Sequence, residues 1–176
     1  VPPHKETLVS IVTDKEAPYT QAIIFEKHPV SSNNNVIGYR DMIKQMIINS
    51  VINERLKEIL QQPNPPFFVA QSSYGNQLRS LDAFTTVAIG TADNTEKMLK
   101  VLYEEIYRAE KFGVTKAEFD RAVVDIQNTY ETALKEKDKT ESSNYANEYV
   151  KYYLENAASP GIDIENQLLQ ILIPTI

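Results

Sequence analysis

One stretch decides the fold class of this chain: YRDMIKQMIINSVINERLKEILQQ, from Tyr39 to Gln62. Its apolar residues return at steps of three and four, the spacing of one face of an α-helix. The stripe is broad, so we expect the helix to pack against a sheet. Prolines between residues 63 and 66 predict its end, because proline cannot continue the backbone hydrogen-bond ladder. The stripe comprises Met42, Ile43, Met46, Ile47, Val51, Ile52, Leu56, Ile59 and Leu60, and Ile48 broadens it.

Short β-rich segments lie on both sides of this predicted helix. Residues 5–13 and 20–28 come before it, and we predict them to be paired antiparallel strands or consecutive strands of one sheet. A polar loop over residues 29–35 connects them to the helix. Residues 67–75 and 81–90 come after it and predict two further strands.

The strand predicted over residues 81–90 alternates in character. Thr86 and Ala88 alternate with Val87 and Ile89. This pattern is typical of an antiparallel sheet that is covered by helices on one face.

Four more helices are predicted after the strands. Asp93 with Glu96, and Thr115 with Glu118, have the spacing of capping boxes and predict two helix starts. Gly113 predicts a left-handed C-terminal cap between them.

The last two predicted helices are shorter. Residues 145–154 form a tyrosine-rich helix, which residues 159–161 (Ser-Pro-Gly) interrupt. We predict that Asp163 caps the final helix and that Pro174 stops it. This final helix carries Ile164, Leu168, Leu169 and Ile171.

The order β-β-α-β-β-α-α-α-α predicts an α+β fold, with two antiparallel pairs of strands and a helical layer. The length of 176 residues and a hydrophobic content of 42% suit a single domain over residues 1–176. The chain begins with Val1 rather than Met, so we expect it to be part of a longer polypeptide. No apolar run approaches the length of a membrane span, and no signal peptide is recognised.

Composition excludes several classes of function. The formal net charge of -6 argues against general affinity for nucleic acid, because phosphates favour a basic surface. The chain has no cysteine, which excludes disulfides, a thiolate zinc site and a cysteine nucleophile. Neither a G-x-G-x-x-G nor a phosphate-binding loop motif occurs, so nucleotide binding has no support.

Catalytic residues are not predicted. The two histidines, His4 and His28, lack the spacing of a hydrolytic zinc site, and we interpret both as surface residues; the alternative is a metal site shared with another chain. Ser72 has no flanking glycines of a nucleophile elbow. The acidic residues Glu104, Glu105, Glu118 and Asp120 are predicted at solvent-facing or capping positions. We therefore assign no catalytic residue and no metal ligand, and we leave substrate-binding residues unassigned.

Four tyrosines, Tyr145, Tyr149, Tyr152 and Tyr153, lie at helical spacing. Tyrosine has an apolar body and a polar tip, so such a stripe suits an interface or a partly exposed groove. The edge of the core under a helical layer is the other interpretation, and we favour it here.

Two stretches resemble the pitrilysin/insulinase family of zinc metallopeptidases, the inverzincins. One is PPHKETLVSIVTD at residues 2–14, similar to the opening of a non-catalytic domain of bacterial members. The other spans residues 48–74, where a long helix with the element N-E-R-L (Asn53 to Leu56) leads into a strand. The order of elements also matches, over nearly the whole chain.

The resemblance implies a processing-peptidase or LuxS-like metallohydrolase fold. Family members consist of homologous α/β domains that close around a peptide, and one domain carries H-x-x-E-H, binds zinc and cleaves the peptide bond. This chain lacks H-x-x-E-H. We therefore expect an inactive peptidase-like domain without its own cofactor, with zinc bound by a catalytic domain of the longer polypeptide. Its partners would be the other domains and the peptide, not nucleic acid or membrane. A periplasmic location is favoured by resemblance to bacterial members, and a cytoplasmic one stays open.

The resemblance also implies two positions to compare. In the half opposite the zinc domain, family members use an Arg and, seven residues later, a Tyr to reach the substrate. Gln61 and Phe68 occupy those positions here. Gln61 has no charge and Phe68 no hydroxyl, so neither can stabilise an oxyanion in the same way. This favours the structural domain next to the zinc domain over the substrate-clamping one.

Two other functions stay open on sequence grounds. The chain could belong to a scaffold or assembly subunit that is wholly non-catalytic. It could also be an unrelated ligand-binding domain, which a deep apolar pocket with convergent polar groups would favour.

Overall fold

The computed structural model describes residues 6–7, 9–10, 16–32, 34–78 and 80–176. The described part folds as three strands and five α-helices, joined by short connections and three single 3₁₀ turns. The strands are β1 (Thr20–Pro29), β2 (Val69–Leu78) and β3 (Leu81–Gly90). The helices are α1 (Val36–Leu60), α2 (Thr95–Phe112), α3 (Lys116–Lys135), α4 (Ser142–Glu155) and α5 (Ile162–Leu172).

The three strands form one antiparallel sheet in the order β1-β3-β2. Because β1 and β2 both run antiparallel to β3, α1 crosses from one edge of the sheet to the other with β3 between. The strand predicted over residues 5–13 lies mostly outside the described residues, and so does its pairing with β1. The described strands therefore form one sheet rather than two separate pairs, and they confirm the α+β class.

Helices cover one face of the sheet. In β3 the buried residues Thr86, Ala88 and Gly90 point towards this face, as the alternation predicts. α1 packs on β2, and α2 packs on β1 and β3. The core between the sheet and these two helices contains Ala22, Ile52, Leu56, Phe67, Ala88, Met98 and Leu102.

A second core lies on the other side of α1, where α3 packs against α1 and α5 packs against α3. α1 is thus buried on two faces, which explains its broad apolar stripe. This second core contains Tyr39, Ile43, Ile47, Val51, Ala122, Ile126, Leu169 and Leu172.

Two predicted caps are wrong. Asp93 lies inside the 3₁₀ turn Ala92–Asn94, and α2 follows Asn94, whose side chain makes no capping hydrogen bond. An N-cap needs extended backbone, whereas Asn94 has φ -99° and ψ 4°. Gly161, rather than Asp163, precedes α5, and Asp163 instead forms an ion pair with Lys137 at 2.8 Å.

The capping box of α3 is confirmed. The Thr115 hydroxyl accepts from the Glu118 backbone N–H, and the Glu118 carboxylate accepts from that of Thr115. Gly113, between α2 and α3, has the predicted positive φ of 71°, but its ψ of -150° lies outside the left-handed helical region. Only glycine adopts this conformation without strain.

Candidate functional site

A zinc site does not fit the described part of the chain. His28 is an exposed residue near the end of β1, and its ring centroid lies 6.0 Å from that of Tyr74. Among the residues that the structure describes, no group of three His, Asp or Glu side chains could hold a metal ion. His4 lies outside the described residues. The prediction that another domain supplies the zinc site stays a prediction.

Gln61 and Phe68 lie at the structural positions that the sequence assigned to them. Gln61 is the C-cap of α1, and Phe68 directly precedes β2. The Phe68 backbone N–H donates to the carbonyl of Ile89 at 2.7 Å, and its exposed ring contacts Tyr19 edge-on. Neither side chain offers a charge or a hydroxyl here.

A buried ion-pair cluster joins three helices, and the sequence pattern did not predict it. Arg55 of α1 is 5% exposed and forms two hydrogen bonds to Glu118 of α3, of 2.7 and 3.0 Å. It also donates to the carbonyl of Gly113 at 3.3 Å, and Glu105 of α2 lies 3.8 Å away. Glu105, predicted to face solvent, is therefore largely buried. The sequence does contain a signal for this burial. Arg55 follows Val51 by four residues and so lies on the buried face of α1.

This cluster changes the acidity of Glu118. The hydrogen bonds from Arg55, followed by those from the Thr115 backbone and hydroxyl, lower the pKa of Glu118 to about 2. The hydrogen bonds to Glu118 in turn raise the pKa of Arg55. Both groups stay charged at neutral pH and are bound to each other in the ion pair. Neither is therefore free for proton transfer.

Ser72 is not available as a nucleophile. It is buried in β2, and its hydroxyl lies 3.1 Å from the side-chain oxygen of Asn49. The Asn53 side chain accepts from the Ser72 N–H at 2.7 Å and donates to the Ser72 carbonyl at 3.1 Å. Asn53 thus takes the place of a neighbouring strand at this edge of the sheet.

The face of the sheet opposite the helices exposes a group of apolar side chains among polar ones such as Gln21, Gln71 and Ser73. Ile23, Phe25 and Val69 point to it and are 40, 49 and 50% exposed. In the register of the sheet Ile23 pairs with Val87 and Val69 with Ile89, both partly buried residues of β3, while Phe25 pairs with Thr85. Single exposed apolar residues are ordinary, but a contiguous patch on a sheet indicates a binding surface. We call this patch the open sheet face.

The tyrosines of α4 are exposed, so the interpretation favoured from sequence is wrong. None of the fourteen residues of α4, all of which the structure describes, is buried. Tyr153 is 84% exposed, and Tyr149 and Tyr152 are more than half exposed. A helix this short is marginally stable in water without packing. We call this surface the α4 tyrosine face, and it suits an interface better than the edge of a core.

A groove of about 330 Å³ lies between α1 and α2 above the sheet. Its apolar lining consists of Ile48, Ile52, Phe84, Ile106 and Ala109. Polar side chains stand at its rim, and this combination is typical of ligand and peptide sites. The rim consists of Glu26, His28, Lys44, Gln45, Asn49, Tyr74 and Glu110.

No helix in the described part of the chain is both long and apolar enough to cross a lipid bilayer.

Comparison with known proteins finds a relative that aligns along the whole chain. A "Zinc protease PQQL-like" of Arabidopsis thaliana is 28% identical over all 176 residues. The chain spans 16% of the length of that relative. No family model matches the sequence.

Solved structures share the fold. The first half of the periplasmic protease PqqL from Escherichia coli superimposes with a TM-score of 0.84 over 94% of this chain and 36% of its own, at 14% identity. A predicted insulinase family protease from Yersinia pestis gives 0.75 over 93% of this chain and 35% of its own, at 10% identity. The chain is therefore homologous over its whole length to a PqqL-like zinc protease, and it shares the fold of one segment of PqqL and of an insulinase family protease.

Proposed function

We propose that this chain is a non-catalytic domain of a zinc-dependent peptidase. In this role it packs on a zinc-bearing domain of a longer polypeptide and forms part of the wall of a chamber that holds the peptide. The homology to a zinc protease supports this proposal, as does the absence of H-x-x-E-H from the sequence. The relative is about six times as long as this chain, which leaves room for a separate catalytic domain.

The open sheet face is the observation that carries the proposal. Interfaces between domains of one chain are expected to be apolar at their centre, and Ile23, Phe25 and Val69 offer such a centre. The α4 tyrosine face, formed by Tyr145, Tyr149, Tyr152 and Tyr153, offers a second contact surface. A periplasmic location, as described for PqqL, belongs to the same proposal and is tested by cell fractionation.

Zinc content and peptide hydrolysis test the proposal. Both are measured on this chain alone and on a longer polypeptide that joins it to a domain with H-x-x-E-H. We expect zinc and cleavage of a fluorogenic peptide only in the longer polypeptide. Zinc-dependent cleavage by the 176 residues alone would overturn the non-catalytic assignment, and an inert, metal-free longer polypeptide would favour the scaffold function.

A substitution links this test to the open sheet face. In the longer polypeptide, Phe25→Asp introduces a charge into the proposed interface, and we expect peptide cleavage to fall at least tenfold. Val124→Asp is the matched control, because Val124 is an exposed apolar residue of α3. Equal activity of the two variants would exclude the open sheet face as the packing surface.

A further inference from the structure

The groove between α1 and α2 has a charge that the fold does not balance. Glu26 of β1 and Glu110 of α2 stand at its rim and are exposed. Within the described part of the chain, neither carboxylate has an ion-pair or hydrogen-bond partner. Lys44 lies at the same rim, but its ammonium group is paired with Asp41 at 2.7 Å. The unpaired charge of the groove is therefore negative.

The lining below this rim is apolar. Ile52 and Ile106 are buried at its base, and Ile48, Phe84 and Ala109 are partly buried around them. A ligand that fits the groove needs an apolar body for this lining and a positive charge for the rim. An anion would meet the two carboxylates, and a purely apolar ligand would leave them unpaired.

Lysine and arginine side chains have this combination of properties. Their aliphatic stems cover apolar surface while the charged head stays at the rim. The Tyr74 ring at the rim offers a further contact for a cation. The volume of about 330 Å³ suffices for one long side chain and part of its backbone. We propose that the groove between α1 and α2 binds the lysine or arginine side chain of a peptide.

This inference rests on the groove alone and does not depend on the proposed packing of the domain. A basic side chain in the groove would give the chain a preference among peptides, independently of any catalytic group. The failure of one proposal leaves the other intact, because the open sheet face lies on the opposite side of the sheet.

The test is a titration followed by backbone amide NMR shifts of the 176-residue chain. The probe is a blocked tripeptide, acetyl-Gly-Lys-Gly-amide, and its matched control carries norleucine in place of lysine. We expect the lysine peptide to shift the amides of Ile48, Tyr74 and Ile106 at millimolar concentration, and the norleucine peptide to bind at least fivefold more weakly. Equal binding of the two peptides, or shifts confined to other surfaces, would overturn the proposal.

Charge-removing variants complete the test. Glu26→Gln and Glu110→Gln are each expected to weaken lysine-peptide binding about threefold, and the double variant about tenfold, as for partly exposed ion pairs. Glu96→Gln on the same helix as Glu110 is the control, because Glu96 is exposed and far from the groove along α2. Both rim carboxylates are exposed, so the fold is expected to persist, and the unperturbed amide spectrum checks this. Unchanged binding by the double variant would overturn the proposal.

Discussion

At the scale of single residues, the pair of Arg55 and Glu118 couples the acidity of one carboxyl group to the stability of the fold. The pKa of Glu118 is about 2 in the folded chain, against an ordinary value of 4.5, because Arg55 and Thr115 donate hydrogen bonds to its charged form. A depressed pKa adds stability above the unfolded-state pKa, and this stability is lost as pH falls from about 4.5 towards 2. Acid should therefore loosen the junction of α1, α2 and α3.

Glu118→Gln tests this directly. We expect the variant to lose about 2 kcal/mol of unfolding free energy at pH 7, because it leaves the buried Arg55 with a weaker partner. The difference from the parent chain should shrink as pH falls and vanish near pH 2. Urea unfolding between pH 2 and 7 measures it. Asp120→Asn, which removes only an exposed pair with Lys116, should change stability by less than about 0.5 kcal/mol; an equal effect would contradict the assignment.

A second residue-scale prediction concerns Thr86. This residue is 1% exposed in β3, and its hydroxyl has no hydrogen-bond partner among the residues described. Thr86→Val keeps the shape and removes the unpaired hydroxyl, so we expect a gain of about 1 kcal/mol in thermal or urea unfolding. Thr85→Val on the opposite face controls for strand propensity. A loss of stability would indicate that water satisfies the Thr86 hydroxyl.

At the scale of elements, the long patterns and the capping box of α3 were predictable, but the starts of α2 and α5 were not. The stripe of α1 and the alternation of β3 fix a helix and a strand, since burial follows their periods. The start of α2 failed because a 3₁₀ turn occupies the place of the predicted cap. The prediction that the α4 tyrosines lie at the edge of the core failed, because the helical spacing of tyrosines is the same in a core and at an interface.

The junction of α2 with the sheet depends on one glycine. A Cβ atom at Gly90 would lie 2.8 Å from the sulfur of Met98 and 3.0 Å from the carbonyl oxygen of Pro66. Gly90→Ala should therefore destabilise the fold by about 1–3 kcal/mol, measured by urea unfolding. In the Gly90→Ala background, Met98→Val should restore only part of the lost stability. The contact with the Pro66 carbonyl oxygen remains, because it belongs to the backbone.

Gly75→Ala is the control for this junction, because a Cβ atom there meets no atom within 4 Å. We expect its effect to stay within about 1 kcal/mol, with either sign. If Gly75→Ala and Gly90→Ala cost the same, strand propensity rather than the close approach of α2 would explain both.

At the scale of the whole molecule, the sequence predicted the class of fold but not the groove or the open sheet face. Both depend on how distant elements meet. Glu26 and Glu110 are 84 positions apart in the sequence and share a rim only because α2 packs on β1. Ile23 and Val69 become neighbours only through β3, which lies between their strands. Periodicity gives the face on which a residue lies, but not what covers that face.

The exposed surfaces of the isolated chain lead to a last prediction. The open sheet face should bind a hydrophobic dye such as ANS, because the apolar residues there are exposed together. The pair of substitutions Ile23→Thr and Phe25→Thr should reduce the dye signal at least twofold, while urea unfolding changes by less than about 1 kcal/mol. Val124→Thr, an equivalent change at an exposed position of α3, should leave the signal unaltered. A loss of several kcal/mol in the double variant would mean that these side chains belong to the core of the chain itself, and the open sheet face would then no longer be available for a neighbouring domain.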